Sequence, residues 1–189
     1  MKTKPWRRVG RSRILSENHG RSLGSQEFIN LRSGALEEFS FFYCKVNSVI
    51  VLPITTDKKI VIIRQFRHAT EEVFVELPGG NKNKNETSVD AANRELLEET
   101  GFRSKKTIEL KTKKVWVDPS AYKNFYIPCL ATGCYKISEP KLDATECMET
   151  MAIPINEWLE MIHDGLITDC KTLAVTLLAL PYIGIEIKK

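Results

Sequence analysis

GGNKNKNETSVDAANRELLEETGF, residues 79–102, opens on a Gly-Gly breaker and closes on Gly101. The spacing between them predicts a helix. Thr87 is placed to cap its start, with Asp90 three residues on, and Gly101 is placed to stop it. At ~100° per residue, Val89, Ala92 and Leu96 share one stripe, with Leu97 at its edge. Glu95, Glu98 and Glu99 fall together on another side. Carboxylates three and four positions apart are neighbours and repel. Arg94 can relieve Glu98 at i,i+4, but one guanidinium does not neutralise three carboxylates. A hard divalent cation, Mg²⁺ or Mn²⁺, does so through oxygen ligands. Zinc suits the helix poorly, because it carries no His or Cys. The Pro78-Gly79-Gly80 turn can bring a backbone carbonyl to the same ion. A solvated acidic face is the other reading of the same charges.

Working outward, "NSVIVLPIT" and "KKIVIIRQFR" flank the polar turn "TDKK" and predict a hairpin of two buried strands. "EEVFVELPGG" adds a short strand before the breaker. Upstream, "RSRIL", "EFINLRS" and "EEFSFFYCKV" predict short strands in an extended arm over residues 1–46. Downstream, "RSKKTIELKTKK" reads as a basic, surface-exposed edge, "KNFYIPCLATGCYKI" as a strand or strand pair, and "CMETMAIPI" as a strand. "NEWLEMIHDG" and "TDCKTLAVTLLALPYI" predict two helices with Asn156 and Asp169 as N-caps. This irregular mixture predicts an α/β sandwich rather than a βαβ repeat.

The 189 residues fit one domain, here residues 47–189, with the arm as an appendage. A composition of 42% hydrophobic and 28% charged residues is that of a soluble globular protein, and the net charge of +4 tolerates an anionic substrate without calling for nucleic acid. The cysteines, Cys44, Cys129, Cys134, Cys147 and Cys170, have no C-x-x-C spacing and read as reduced, mostly buried thiols. The basic start lacks the apolar core of a signal peptide, and no apolar run reaches membrane-spanning length, so the expected location is cytoplasmic. His19, His68 and His163 have no partner at a catalytic spacing.

Gly80, Glu86, then Arg94-Glu95-Leu96-x-Glu98-Glu99-x-Gly101-Phe102 resembles the signature box of the Nudix hydrolases at every fixed position. Phe102 stands where a smaller aliphatic residue is usual. The resemblance implies an α/β/α sandwich around a mixed sheet, and Mg²⁺- or Mn²⁺-dependent cleavage of a nucleoside diphosphate linked to another moiety. It implies Glu95, Glu98, Glu99 and the Gly79 carbonyl as metal ligands, with Gly80, Glu86 and Arg94 in support.

"IVIIRQFRHAT", "VELPGG", "GLITDCKTLAVTLLAL" and the arm with Trp6 resemble the ADP-ribose pyrophosphatase branch. That similarity implies a homodimer built through the arm, with substrate sites shared between subunits. It implies that Arg67 grips phosphate and that Glu76 orients substrate or metal, the other reading being that Glu76 pairs with a nearby basic residue, with Arg64 a further candidate. It places a general base on the acidic loop "LDATECMET", at Glu146, ahead of Glu149, Asp143 and the box glutamates Glu98 and Glu99. Trp116 or Tyr122 can stack on a base, or belong to a core. The branch's proline beyond the box is matched only loosely by Pro119. GDP-mannose and other nucleoside diphosphate sugars therefore remain open beside ADP-ribose. So do a non-catalytic nucleotide sensor and an enzyme acting on RNA ends, the latter for the lysines of residues 104–114.

Overall fold

The structure is a computed structural model that describes residues 5–112, 114–143 and 147–185. Glu146 lies outside the described residues. The chain divides into two compact units, Met1–Val46 with Trp116–Phe125, and Asn47–Val115 with Tyr126–Lys189.

The first unit is an antiparallel sheet of β1 (Trp6–Asn18), β2 (Arg21–Asn30) and β3 (Leu36–Cys44) in that order. His19 and Gly20 both take positive φ, 46° and 74°, which gives the two-residue hairpin its twist. Gln26 is buried and fully engaged. It accepts from Arg8 Nε at 2.7 Å and Ser12 Oγ at 2.8 Å, and donates to the Val9 carbonyl at 2.6 Å. The segment Trp116–Phe125 joins this unit through the backbone. Phe42 N–H donates to Ala121 at 2.7 Å, and Lys123 N–H returns a bond to Phe42 at 2.9 Å. Asn124 then closes on the end of β3. Its side chain accepts from Cys44 N–H at 2.6 Å and donates to the Cys44 and Val46 carbonyls, each at 3.0 Å.

The second unit holds a seven-stranded mixed sheet. Its strands are β4 (Ser48–Thr55), β5 (Lys59–Arg67), β6 (Glu72–Glu76), β7 (Phe102–Arg103), β8 (Lys106–Glu109), β9 (Tyr126–Lys136) and β10 (Met148–Pro154). The order is β10-β5-β4-β9-β7, with β6 on β5 and β8 on β9. Strands β4 and β9 run parallel, and the other pairings are antiparallel. Three helices flank the sheet: α1 (Ser88–Thr100), α2 (Ile155–His163) and α3 (Cys170–Ala179).

Strand alternation explains the layers. Leu52, Ile60, Ile62 and Leu130 form one core with Trp158 and Val175 of α2 and α3. Val49, Val51, Val61 and Ile63 alternate to the opposite face and are also buried. There α1 packs on β4 and β9 with Ala91, Ala92 and Leu96 inward. The result is the α/β/α sandwich around a mixed sheet that the sequence predicts. Two local expectations differ. The basic stretch after Phe102 supplies strand β8, because Ile108 turns inward opposite Leu130 while the lysines stay out. Helix α2 starts at Ile155 with Pro154 in the N-cap position, so Asn156 sits inside its first turn.

Candidate functional site

The site is built where the chain leaves β6. Residues 78–80 abandon β5 and run beside β4: Val51 N–H donates to Pro78 at 3.0 Å and Val49 N–H to Gly80 at 2.9 Å. Gly79 N–H donates to Glu99 Oε2 at 2.8 Å, which ties this strand to α1. The fit leaves no room for side chains. A Cβ on Gly79 would overlap the Val49 carbonyl, and one on Gly80 would come within 2.5 Å of the Glu95 carboxylate. Both glycines are therefore set by close approach rather than by unusual backbone angles.

Helix α1 presents the acids as its periodicity predicts. Thr87 accepts from Asp90 N–H at 3.1 Å, and Gly101 stops the helix at φ 73°. Arg94 lies among the carboxylates. Its Nη1 donates to Glu95 at 2.8 Å and to Glu98 at 2.9 Å. Its Nε and Nη2 hold both oxygens of Glu86 at 2.8 and 3.0 Å, and Nη2 also reaches the Asn81 carbonyl at 2.8 Å. One guanidinium thus fastens the 81–86 loop to the acidic face. Its hydrogen bonds hold the Glu86 carboxyl below the usual carboxylate range, and Glu86 in turn raises Arg94 further above the ordinary arginine value.

Glu95 and Glu99 are nearly buried, and Glu98 is half exposed. Among the described residues no three His, Cys, Asp or Glu side chains are gathered closely enough to hold a metal ion as they stand. Arg94 stands between Glu95 and Glu98, while Glu99 turns to Gly79. The donor set still fits a hard divalent ion: carboxylate oxygens on one helix face, without a soft ligand. Mg²⁺ needs only a few protein oxygens and fills its shell with water and phosphate. Glu95, Glu98 and Glu99 are the side chains that would hold it.

Arg67, at the end of β5, forks onto Glu76 at the end of β6, with Nε to Oε1 at 2.7 Å and Nη2 to Oε2 at 2.6 Å. Glu76 is buried and Arg67 is partly exposed, and the chain runs on from Glu76 to Gly79, whose N–H donates to Glu99. The structure thus brings Arg67, Glu76 and the acidic face together. Arg64 is placed otherwise. Alternation puts it with Ile60 and Ile62, on the opposite sheet face from Arg67, where it pairs with Glu149 at 3.1 Å. Asp143 follows Lys141, whose N–H donates to the Glu98 carbonyl at 2.7 Å at the end of α1. Trp116 and Tyr122 belong to the first unit, where Trp116 meets Phe125 edge-on and Tyr122 lies tilted against Phe42. Burial pushes the Cys129 and Cys134 thiols up to about 12, which makes them inert, whereas Cys147 and Cys170 are exposed against expectation.

A family profile described as the NUDIX domain matches residues 45–164. The chain belongs to the Nudix family. It is 31% identical over 126 residues to a Bacillus subtilis protein named ADP-ribose pyrophosphatase, across 66% of this chain and 67% of that one. It is 33% identical over 143 residues to the methanol dehydrogenase activator of Bacillus methanolicus, across 74% and 72%. A crystal structure of an ADP compounds hydrolase matches with a TM-score of 0.82 at 20% identity, over 97% of this chain and 98% of that one. That likeness shows the Nudix fold. The chain is a Nudix hydrolase, and Nudix hydrolases generally use divalent metal ions.

Sequence reasoning found Asp169 as the cap of α3 in this Nudix chain but missed what Lys171 and Thr172 do beside it. Asp169 accepts from Thr172 N–H at 2.9 Å and from Lys171 Nζ at 2.5 Å. Thr172 Oγ1 accepts from Leu77 N–H at 3.1 Å, one residue after Glu76. The signal was present: Lys171 is the one charge in the apolar run "CKTLAVTLLALPYI".

Proposed function

We propose that this Nudix hydrolase cleaves the diphosphate bond of ADP-ribose, giving AMP and ribose 5-phosphate. The observation that carries the reading is that Glu76, which aims the partly exposed Arg67, is followed three residues later by Gly79, whose N–H donates to Glu99 on the acidic face of α1. An anionic diphosphate needs both parts: a guanidinium for its oxygens and carboxylates for its counter-ion. The name of the Bacillus subtilis relative supports ADP-ribose as the substrate.

Glu95, Glu98, Glu99 and the Gly79 carbonyl would hold Mg²⁺ or Mn²⁺. When bound, the ion offsets charge on the diphosphate and makes a neighbouring water more acidic. The chain's own residues do the rest. Arg67 grips phosphate oxygens, and Glu76 keeps its fork aimed. Arg94 spaces the carboxylates and anchors the loop through Glu86. A carboxylate takes the proton of the attacking water. The acidic loop supplies Glu146 for this step, with Glu98 and Glu99 the alternatives on the helix. The new bond joins water oxygen to phosphorus, and the bond to the bridging oxygen breaks, leaving one phosphate on each product.

The first unit is proposed to mediate a homodimer. It exposes Leu15, Leu31, Leu36 and Phe39 together with Phe42 and Trp116, a large apolar display for one small sheet. Among the described residues no helix is long and apolar enough to cross a membrane. A cytoplasmic location is proposed from the reduced cysteines alone. The test of substrate is a panel of ADP-ribose, GDP-mannose, NADH, diadenosine polyphosphates and capped RNA, each assayed with Mg²⁺ and with Mn²⁺. ADP-ribose should give the highest kcat/KM; a clear preference for GDP-mannose or for RNA would displace it.

A further inference from the structure

Two ion pairs form an open ring of four charges, joined where Leu77 N–H, beside Glu76, donates to Thr172 Oγ1, beside Lys171, at 3.1 Å. Arg67 forks onto Glu76, and Lys171 binds Asp169. Across the opening, Glu76 and Lys171 attract, as do Asp169 and Arg67, at ranges longer than an ion pair. The signs alternate, so the ring's charge sums to zero. The side chains of Glu76, Asp169 and Lys171 are 3%, 9% and 18% exposed. Any of them left unpaired at that depth would be costly. The ring is also fastened to backbone, because Asp169 caps α3 and Thr172 holds the N–H that follows Glu76.

We propose that Lys171 is a positioning residue for the phosphate grip, acting as second counter-ion to Glu76 and so keeping Arg67 aimed. This rests on the reading of Arg67 given above. Arg67 spends two of its nitrogens on Glu76. When part of that fork turns to a diphosphate, the Glu76 carboxylate is left in a nearly closed site. Lys171 balances it there, and Asp169 keeps Lys171 in place. A salt bridge that merely stabilised α3 would not be set against the partner of the phosphate-binding arginine.

The test is steady-state hydrolysis of ADP-ribose with Mg²⁺ by Lys171→Met, Lys171→Arg, Asp169→Asn, Arg67→Ala and the double variant Arg67→Ala/Lys171→Met. Lys171→Met should raise KM about tenfold and leave kcat within about threefold. Lys171→Arg should restore KM to within about twofold of wild type. Asp169→Asn keeps the helix cap, so it reads the charge alone and should raise KM in the same direction. It carries the test if Lys171→Met fails to fold. The double variant should have the KM of Arg67→Ala, because Lys171 acts through Arg67. An unchanged KM in Lys171→Met with a lower melting temperature would reduce the ring to a structural pair. Additive rises in the double variant would put Lys171 on the substrate itself. An unchanged KM in Arg67→Ala, or no turnover by wild type, would instead sink the reading beneath the proposal.

Discussion

Arg94 makes five side-chain hydrogen bonds, and four of them go to glutamates. Removing it leaves Glu86, Glu95 and Glu98 repelling one another in a partly buried site. Arg94→Met should lower stability by about 1–3 kcal/mol, read by denaturant unfolding, and Mg²⁺ should recover part of the loss. The same network gives a pH signature. The Glu86 carboxyl is depressed in the folded chain, from an ordinary value of 4.5. Its contribution is therefore complete above that value and is lost as pH falls through the depressed one. Wild-type stability should drop across that acid window, and Arg94→Met should flatten the drop. Glu99→Gln should keep the fold and lose at least about a hundredfold in kcat, as expected for a ligand of the catalytic ion. Wild-type turnover would remove Glu99 from the site. At this scale the sequence was informative, because helical spacing alone places Glu95, Glu98 and Glu99 together. Arg67 and Glu76 were legible only through resemblance, since the register of β5 and β6 sets Arg67 opposite Glu72 and Glu76 opposite Ile63, and no cross-strand neighbour rule predicts their ion pair.

At the scale of elements, the strand-to-helix junction makes two opposite demands on adjacent glycines. Gly79→Ala meets backbone of β4, which has nowhere to move, so it should destabilise the fold by about 1–3 kcal/mol. Gly80→Ala meets the end of a flexible side chain instead. It should displace Glu95 and lower kcat with little change in melting temperature. Equal losses of stability in both variants would contradict this division. Element types were legible from apolar runs in β4, β5 and α3 and from helical spacing in α1. The strand within the basic stretch 103–114 was not legible because Lys106 of β8 faces out while its inward side rests on Ile108. The cap of helix α2 was misplaced by two residues, because Pro154 fixes the backbone ahead of it without a side-chain cap.

At the scale of the whole molecule, the arm and the catalytic sandwich are separate compact units. That Trp116–Phe125 belongs with the arm was not legible, because backbone bonds between residues some eighty positions apart leave no local pattern. If the first unit carries the dimer, deleting residues 1–46 should give a monomer by light scattering with little activity; a fully active monomer would refute the shared site. The central claim is that the acidic face of α1 works on a diphosphate through a hard divalent ion. Its most direct test is to incubate wild type and Glu99→Gln with ADP-ribose, with Mg²⁺ and then with excess EDTA, and to identify the products. The account predicts AMP and ribose 5-phosphate from wild type with Mg²⁺, with almost none from the variant or after chelation. Undiminished cleavage in EDTA, or in Glu99→Gln, would contradict it.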